Sequence, residues 1–224
     1  TASLRQQSGF MKQLLRAAAI LAATATLTVP ASAADPIYPP GLHVGLVPMA
    51  GLAAATEFSG FESMDRKVKI GITEIPEGAF AAVDAAYKSG KPAPKGSIKP
   101  EEFQTAAGKS YFTSESGKDK DGTEVHNYSL ILPGNKFSGY VIAQVRDGAG
   151  KTFTEDAIRT MLATTALRPV VPVKEQLDLL AFNITDLANF KTVRTLAPRS
   201  AVMLTDGDED TTMDSAPYMV IGLM

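Results

Sequence analysis

The middle of the chain contains three strand-like runs in close succession, and this feature constrains the fold most. The runs are Ser110–Ser114, Glu124–Leu132 and Phe137–Val145, separated by short turns rich in Gly, Asp, Lys or Pro. Strands joined by short polar turns usually pair as an antiparallel meander. Large apolar residues such as Tyr128 and Leu130 recur at every second position of the middle run, as expected where one sheet face is covered.

Two amphipathic helices are predicted to flank the meander. Upstream, a strand over Val68–Ile75 ends at Pro76, and Glu77–Lys88 then carries apolar residues at helical spacing. Downstream, Thr154 is a suitable N-cap for a helix over Glu155–Leu167, whose first turn is acidic. This order predicts an α+β fold, an antiparallel sheet flanked by helices.

The predicted order of elements, together with the segment Phe58–Glu62 (FSGFE), resembles the Mog1/PsbP-like fold family over about residues 40–168. That family includes photosystem accessory proteins, a small-GTPase-binding factor and many exported bacterial proteins. The resemblance therefore implies binding or assembly more readily than catalysis, although a fold alone does not establish a function.

The last part of the chain is predicted to add further strands. Its strand-like runs are Leu179–Leu187, Thr192–Leu196, Ala201–Leu204 and Tyr218–Met224. Two readings remain open, namely an incomplete second copy of the fold and extra strands that extend the first sheet. The predicted division is a leader and signal peptide over 1–33, an α+β domain over 34–168 and a β-rich extension over 169–224.

The segment Met11–Ala34 has the three parts of a secretory signal peptide. Lys12 and Arg16 make a basic start, an apolar stretch too short to span a bilayer follows, and Ala31–Ala33 (ASA) fits a cleavage site. Cleavage is expected near Ala33 and Ala34. The sequence therefore predicts a bacterial protein that is periplasmic or secreted.

The charge of the chain after the leader limits the classes of partner that are expected. The whole chain has 22 basic and 24 acidic residues, and three of the basic residues lie in the leader, which leaves a formal net charge of −5. Nucleic acids and anionic membranes bind basic patches, so neither is an expected partner, and no membrane insertion is expected after cleavage. Because there is no cysteine, stability must come from a packed core.

An acidic segment near the C-terminus invites comparison with a calcium loop. Asp206, Asp208 and Asp210 begin with the right spacing, but Thr211 stands where the loop needs glycine and Pro217 where it needs a bidentate acid. A solvated acidic turn is the favoured reading, with calcium as the weaker alternative. No metal or other cofactor is predicted.

The sequence has no recognisable catalytic signature. There is no G-x-S-x-G or S-x-x-K motif and no thiol, and neither His43 nor His126 has a second histidine at metal-ligand spacing. Glu57, Glu62 and Glu74 could contribute a carboxylate to a site, and a pairing of a histidine with a distant carboxylate stays open.

Two functions from different classes therefore compete. The first is an exported, non-enzymatic binding or assembly protein whose partner is an envelope protein or a small apolar ligand, with homo-oligomers as a further option. Its site is predicted around Phe58, Phe61, Tyr128 and Tyr140, although core packing would explain these aromatics as well. The second is a periplasmic hydrolase-type enzyme whose site is assembled from distant residues around His126.

Overall fold

The computed structural model describes residues 34–90, 98–197, 199–207 and 216–223. The leader over 1–33 lies outside the described residues, as do Asp208 and Asp210. The signal peptide and its cleavage site therefore stay predictions.

A seven-stranded antiparallel sheet forms the larger part of the fold. Its strand order is β2-β3-β4-β8-β7-β6-β5, and every neighbouring pair is antiparallel. The strands are β2 (Leu52–Ala54), β3 (Gly60–Ser63), β4 (Val68–Pro76), β5 (Glu101–Thr105), β6 (Gly108–Lys118), β7 (Glu124–Pro133) and β8 (Phe137–Arg146). The predicted meander is confirmed as β6-β7-β8, whereas β2, β3 and β5 were not predicted as strands.

One face of the sheet carries the main hydrophobic core. Helix α2 (Glu155–Ala163) packs Ile158 and Leu162 against this face, where Leu130 and Val141 are fully buried. The predicted N-cap is confirmed, because the Thr154 hydroxyl accepts a hydrogen bond from the Ala157 amide at 3.3 Å. Burial of this apolar face supplies the main stabilisation of the fold.

Helix α1 (Gly78–Lys88) packs on the opposite face through a few contacts. The Tyr111 hydroxyl donates to Asp84 Oδ1 at 2.7 Å, and the rings of Tyr87 and Tyr111 lie 4.9 Å apart. Burial and the neighbouring Asp84 carboxylate raise the pKa of Tyr111. No residue of α1 is fully buried, so this helix covers the sheet loosely. With helices on both faces, the predicted α+β class is confirmed.

The predicted end of helix α2 is wrong. The helix ends at Ala163 rather than Leu167, and Ala166–Leu167 instead forms strand β9, which pairs with β1 (Val44–Gly45). The Thr164 hydroxyl accepts a hydrogen bond from the Val47 amide at 2.9 Å. Tertiary pairing with β1 therefore overrides the helical periodicity.

The C-terminal region forms a smaller sheet of its own. Helix α3 (Val173–Asp178) precedes an antiparallel sheet of β10 (Thr192–Ala197), β11 (Ala201–Thr205) and β12 (Tyr218–Gly222), in that order. The extra C-terminal strands are thus confirmed.

The predicted strand over 179–187 is wrong. This stretch makes only an isolated bridge between Leu180 and Arg199, because its apolar side chains pack beneath the small sheet instead. The domain boundary at residue 168 and the idea of a second copy stay predictions.

Candidate functional site

A cleft of about 660 Å³ lies where the extended segment after β9 passes the start of β10. We call it the Pro-Val cleft. Its lining consists of His43, Asn135, Phe137 and the segments 167–173 and 191–193. Eight of these thirteen residues are apolar, and none is acidic.

The segment 167–173 (LRPVVPV), which we call the Pro-Val segment, builds one side of the cleft because its prolines prevent regular structure. Pro169 and Pro172 lack an amide hydrogen and keep φ near −65°, so the chain runs extended between β9 and α3. Val171 is buried, whereas Val170 is 61% exposed. The cleft therefore offers apolar surface that is open to a ligand.

An ion pair holds this segment in place. The Arg168 guanidinium donates to both Glu175 oxygens, at 2.9 and 2.5 Å, and also to the Leu42 carbonyl at 2.9 Å. It lies 5.0 Å from the centre of the Tyr38 ring. The hydrogen bonds from Arg168 lower the pKa of Glu175. The charge of Arg168 is therefore already balanced within the protein.

His43 lies in the cleft lining next to a carboxylate. Its backbone amide donates to Glu74 Oε1 at 2.5 Å, and its Nδ1 atom lies 3.2 Å from the same oxygen. The imidazole also packs against Phe137, with ring centroids 5.3 Å apart. Such a pair could orient a histidine for proton transfer. However, none of the described residues that line the cleft is a serine, and the hydroxyl of Thr192 donates to the Gly207 carbonyl at 2.5 Å.

Lys191 provides a different kind of charge at the cleft. Its side chain is exposed and makes no ion pair with any residue in the described part of the chain. Its backbone amide donates to the Thr205 carbonyl at 3.2 Å, which fixes the start of β10 beside β11.

The four aromatic residues predicted to form a site do not share one surface. Phe61 and Tyr128 lie in the main core and are nearly fully buried. Tyr140 is half-buried on the sheet face that carries α1, where its hydroxyl donates to Ser129 at 3.0 Å. Phe58 is half-buried in the bend before β3. None of them lines the Pro-Val cleft, and their role in binding stays a prediction.

His126 lies apart from the Pro-Val cleft. It is exposed on β7, and its Nδ1 atom lies 2.9 Å from the Ser116 hydroxyl on β6. Among the described residues no carboxylate forms an ion pair with it.

The other predicted acidic residues have simpler surroundings. Glu57 and Glu62 lie 3.4 and 3.9 Å from the Arg66 guanidinium. Asp206 is exposed after β11, and the described residues contain no group of three or more His, Cys, Asp or Glu positioned to hold a metal. The calcium alternative therefore gains no support from Asp206, while Asp208 and Asp210 stand outside the described residues.

A second, more open hollow of about 530 Å³ lies beside edge strand β2, near Glu62 and Arg66. It has no aromatic lining residue. Within the described residues, no helix is long and apolar enough to cross a membrane.

The sequence reasoning missed Arg168, Glu175 and Lys191. The prolines of the run PVVP could have indicated an extended segment, but nothing local indicated that residues 191–193 would lie beside it. His43 and Glu74 were noted separately, and only the fold brings them together.

Comparison with known proteins identifies no family. No protein-family model matches the chain, and no curated protein matches it. One similar solved structure comes from Bacteroides thetaiotaomicron VPI-5482, with 13% identity and a TM-score of 0.41 over 60% of this chain. This chain spans 48%, about half, of that protein's length. A second is LpqN, described as involved in cell envelope biogenesis of Mycobacterium tuberculosis, with 14% identity and a TM-score of 0.40 over 60% of this chain and 90% of LpqN. The resemblance to the Mog1/PsbP-like family stays a prediction.

Proposed function

We propose that this is an exported, non-enzymatic binding protein of the bacterial envelope that holds a small, largely apolar ligand in the Pro-Val cleft. The observation that carries the proposal is the cleft itself, with its volume of about 660 Å³ and its mainly apolar lining. Small-molecule sites typically have volumes of about 300–1,000 Å³ and are lined mostly by apolar side chains with a few polar groups.

The polar groups of the cleft favour binding over catalysis. Arg168 is engaged by Glu175 and by the Leu42 carbonyl, so it serves as a structural support for the wall. The described residues that line the cleft include no serine, cysteine or carboxylate that could act as a nucleophile. The exposed position of His126 gives little support to the alternative of a hydrolase centred on that residue.

Export rests on the sequence. The basic start, short apolar stretch and small-residue end of Met11–Ala34 support a secretory route. A periplasmic or secreted location would place the cleft among envelope molecules.

A tryptophan reporter can test ligand binding, because the chain contains no tryptophan. Val170 lines the cleft and is largely exposed, so Val170→Trp introduces one fluorophore there without burying new volume. We expect decanol, added below the concentration at which it separates from water, to cause a saturable blue shift of the emission. The matched control is Met64→Trp, at a fully exposed position outside the Pro-Val cleft, and it should show no saturable change.

The same experiment can overturn the proposal. If decanol and other apolar probes leave the Val170→Trp emission unchanged while the protein remains folded, the cleft does not hold apolar ligands. Stoichiometric capture of an envelope protein that protects Val170 would then support the alternative partner class. Measured turnover that is lost in His126→Ala would instead favour the enzyme alternative.

A further inference from the structure

We infer that the ligand of the Pro-Val cleft is an amphipathic anion, with an apolar body along residues 167–173 and an anionic head group at Lys191. This inference rests on the proposed function, because it names the class of ligand that the same cleft would take. A carboxylate and a phosphate share the required chemistry, since a lysine ammonium acts on either as a point charge.

The charges of the lining point to an anion. Among the described residues, the charged or chargeable side chains that line the cleft are His43, Arg168 and Lys191, and none of the described lining residues is acidic. Glu175 balances Arg168 and Glu74 contacts His43, but neither carboxylate belongs to the lining. Lys191 thus differs from the other two, because its ammonium has no carboxylate partner in the described part of the chain.

The geometry of β10 places the charge next to apolar surface. Lys191, Thr192 and Val193 all line the cleft, at the point where strand β10 begins. Val193 is 3% exposed, whereas Lys191 is exposed. An apolar chain could lie against the exposed part of the segment 167–173, which includes Val170, while its head group reaches the ammonium at the solvent edge.

The acidic residue Asp206 lies next to Lys191 in the register of β10 and β11. Asp206 follows Thr205, whose carbonyl accepts the hydrogen bond from the Lys191 amide. Asp206 does not line the cleft and makes no ion pair with Lys191 among the described residues. Its carboxylate makes the expected preference for an anion moderate rather than large.

The test compares probes that share a ten-carbon tail and differ in the head group. Titration calorimetry of the full chain at pH 7.5 would measure decanoate, decyl phosphate and the neutral decanol, each below its micelle-forming concentration, with acetate as the tail-free anion. We expect both anions to bind several-fold more tightly than decanol and acetate not to bind. Raising the salt concentration should weaken the two anions and leave decanol unchanged, because salt screens exposed charge pairs.

Lys191→Met removes the charge and keeps an unbranched apolar side chain. We expect it to weaken decanoate binding by roughly threefold to fivefold, the upper part of the range of an exposed ion pair, and to leave decanol unchanged. Lys151→Met is the matched control, since Lys151 is exposed in a turn and does not line the cleft; it should change neither probe.

The outcomes separate this inference from the proposed function. Equal affinities for decanol and both anions, unaffected by Lys191→Met, would overturn the inference and leave an apolar cleft intact. Failure of all tailed probes would overturn the proposed function as well. A preference for only one of the two anions would support the inference and identify the head group.

Discussion

The seven-stranded sheet and the C-terminal sheet are stabilised to very different extents. The first buries a large continuous core between the sheet, α2 and β1, whereas the buried cluster of the second, within the described residues, consists of Val193, Val202 and Leu204. Strand β12 is largely exposed along its length, including Tyr218 and Val220. The small sheet depends on its connections to the rest of the chain, and the Arg168–Glu175 ion pair and the Pro-Val segment contribute to them. The comparison indicates that the cleft lies between a rigid wall and a less strongly stabilised one.

The largest effect is expected from truncating the main core. Leu130 is fully buried between β6 and β8, so Leu130→Ala should lower the free energy of unfolding by about 3–5 kcal/mol. Leu204→Ala in the small sheet should cost about 2–3 kcal/mol, because fewer neighbours surround the cavity. Guanidinium chloride unfolding would measure both values. Leu196→Ala, at a partly exposed position of β10, is the control and should cost less than about 1 kcal/mol. A larger loss for Leu204→Ala than for Leu130→Ala would reverse the proposed ranking of the two regions.

A smaller and pH-dependent effect is expected at the ion pair between the regions. Because the pKa of Glu175 lies below its ordinary value of 4.5, its stabilising contribution is present above pH 4.5 and is lost as the pH falls through the folded-state pKa. Glu175→Gln should therefore lower the free energy of unfolding by about 1.5–3 kcal/mol at pH 7, with a smaller loss below the folded-state pKa.

Thermal unfolding of Glu175→Gln and the unaltered protein between pH 7 and pH 3 would check this expectation. Asp178→Asn is the matched control, because the exposed Lys174–Asp178 pair should contribute little. A difference between Glu175→Gln and the unaltered protein that stays constant down to pH 3 would contradict the assigned role of the Glu175 charge.

The smallest of the three effects concerns how the helices begin. The Thr154 hydroxyl caps α2, whereas α3 has Pro172 at its N-cap position and no side-chain cap. Thr154→Ala should cost about 1 kcal/mol, and Thr154→Ser should restore most of it. Urea unfolding followed by circular dichroism would measure the difference. An unchanged midpoint in Thr154→Ala would mean that packing of Ile158 and Leu162 alone fixes the start of α2.

The helices and strands show which features of the fold a local sequence pattern can predict. The meander was predicted within a few residues of β7 and β8, because alternation and turn residues act between near neighbours. The predicted end of α2 was wrong because residues 166–167 pair with β1 as strand β9. The stretch 179–187 was wrong because its apolar side chains pack under β10 and β11 without joining a sheet.

The site was less predictable than the fold. Aromatic residues such as Phe61 and Tyr128 are common in binding surfaces, but both lie in the main core. An aromatic side chain can be buried in a core as readily as it can bind a ligand, so its type alone does not decide between the two. His43 and Glu74 are 31 residues apart in sequence, so no motif links them. Arg168 and Lys191 line the same cleft because the Pro-Val segment passes the start of β10 in the folded chain.

The sequence by itself determined the α+β class, the antiparallel meander and the N-cap of α2, because alternation, turn chemistry and capping depend on residues a few positions apart. The tertiary structure alone decided which aromatics are buried, where α2 ends and that a cleft forms beside residues 167–173. Those features depend on contacts between residues far apart in sequence, whose formation is set by burial of the whole apolar surface rather than by any local pattern.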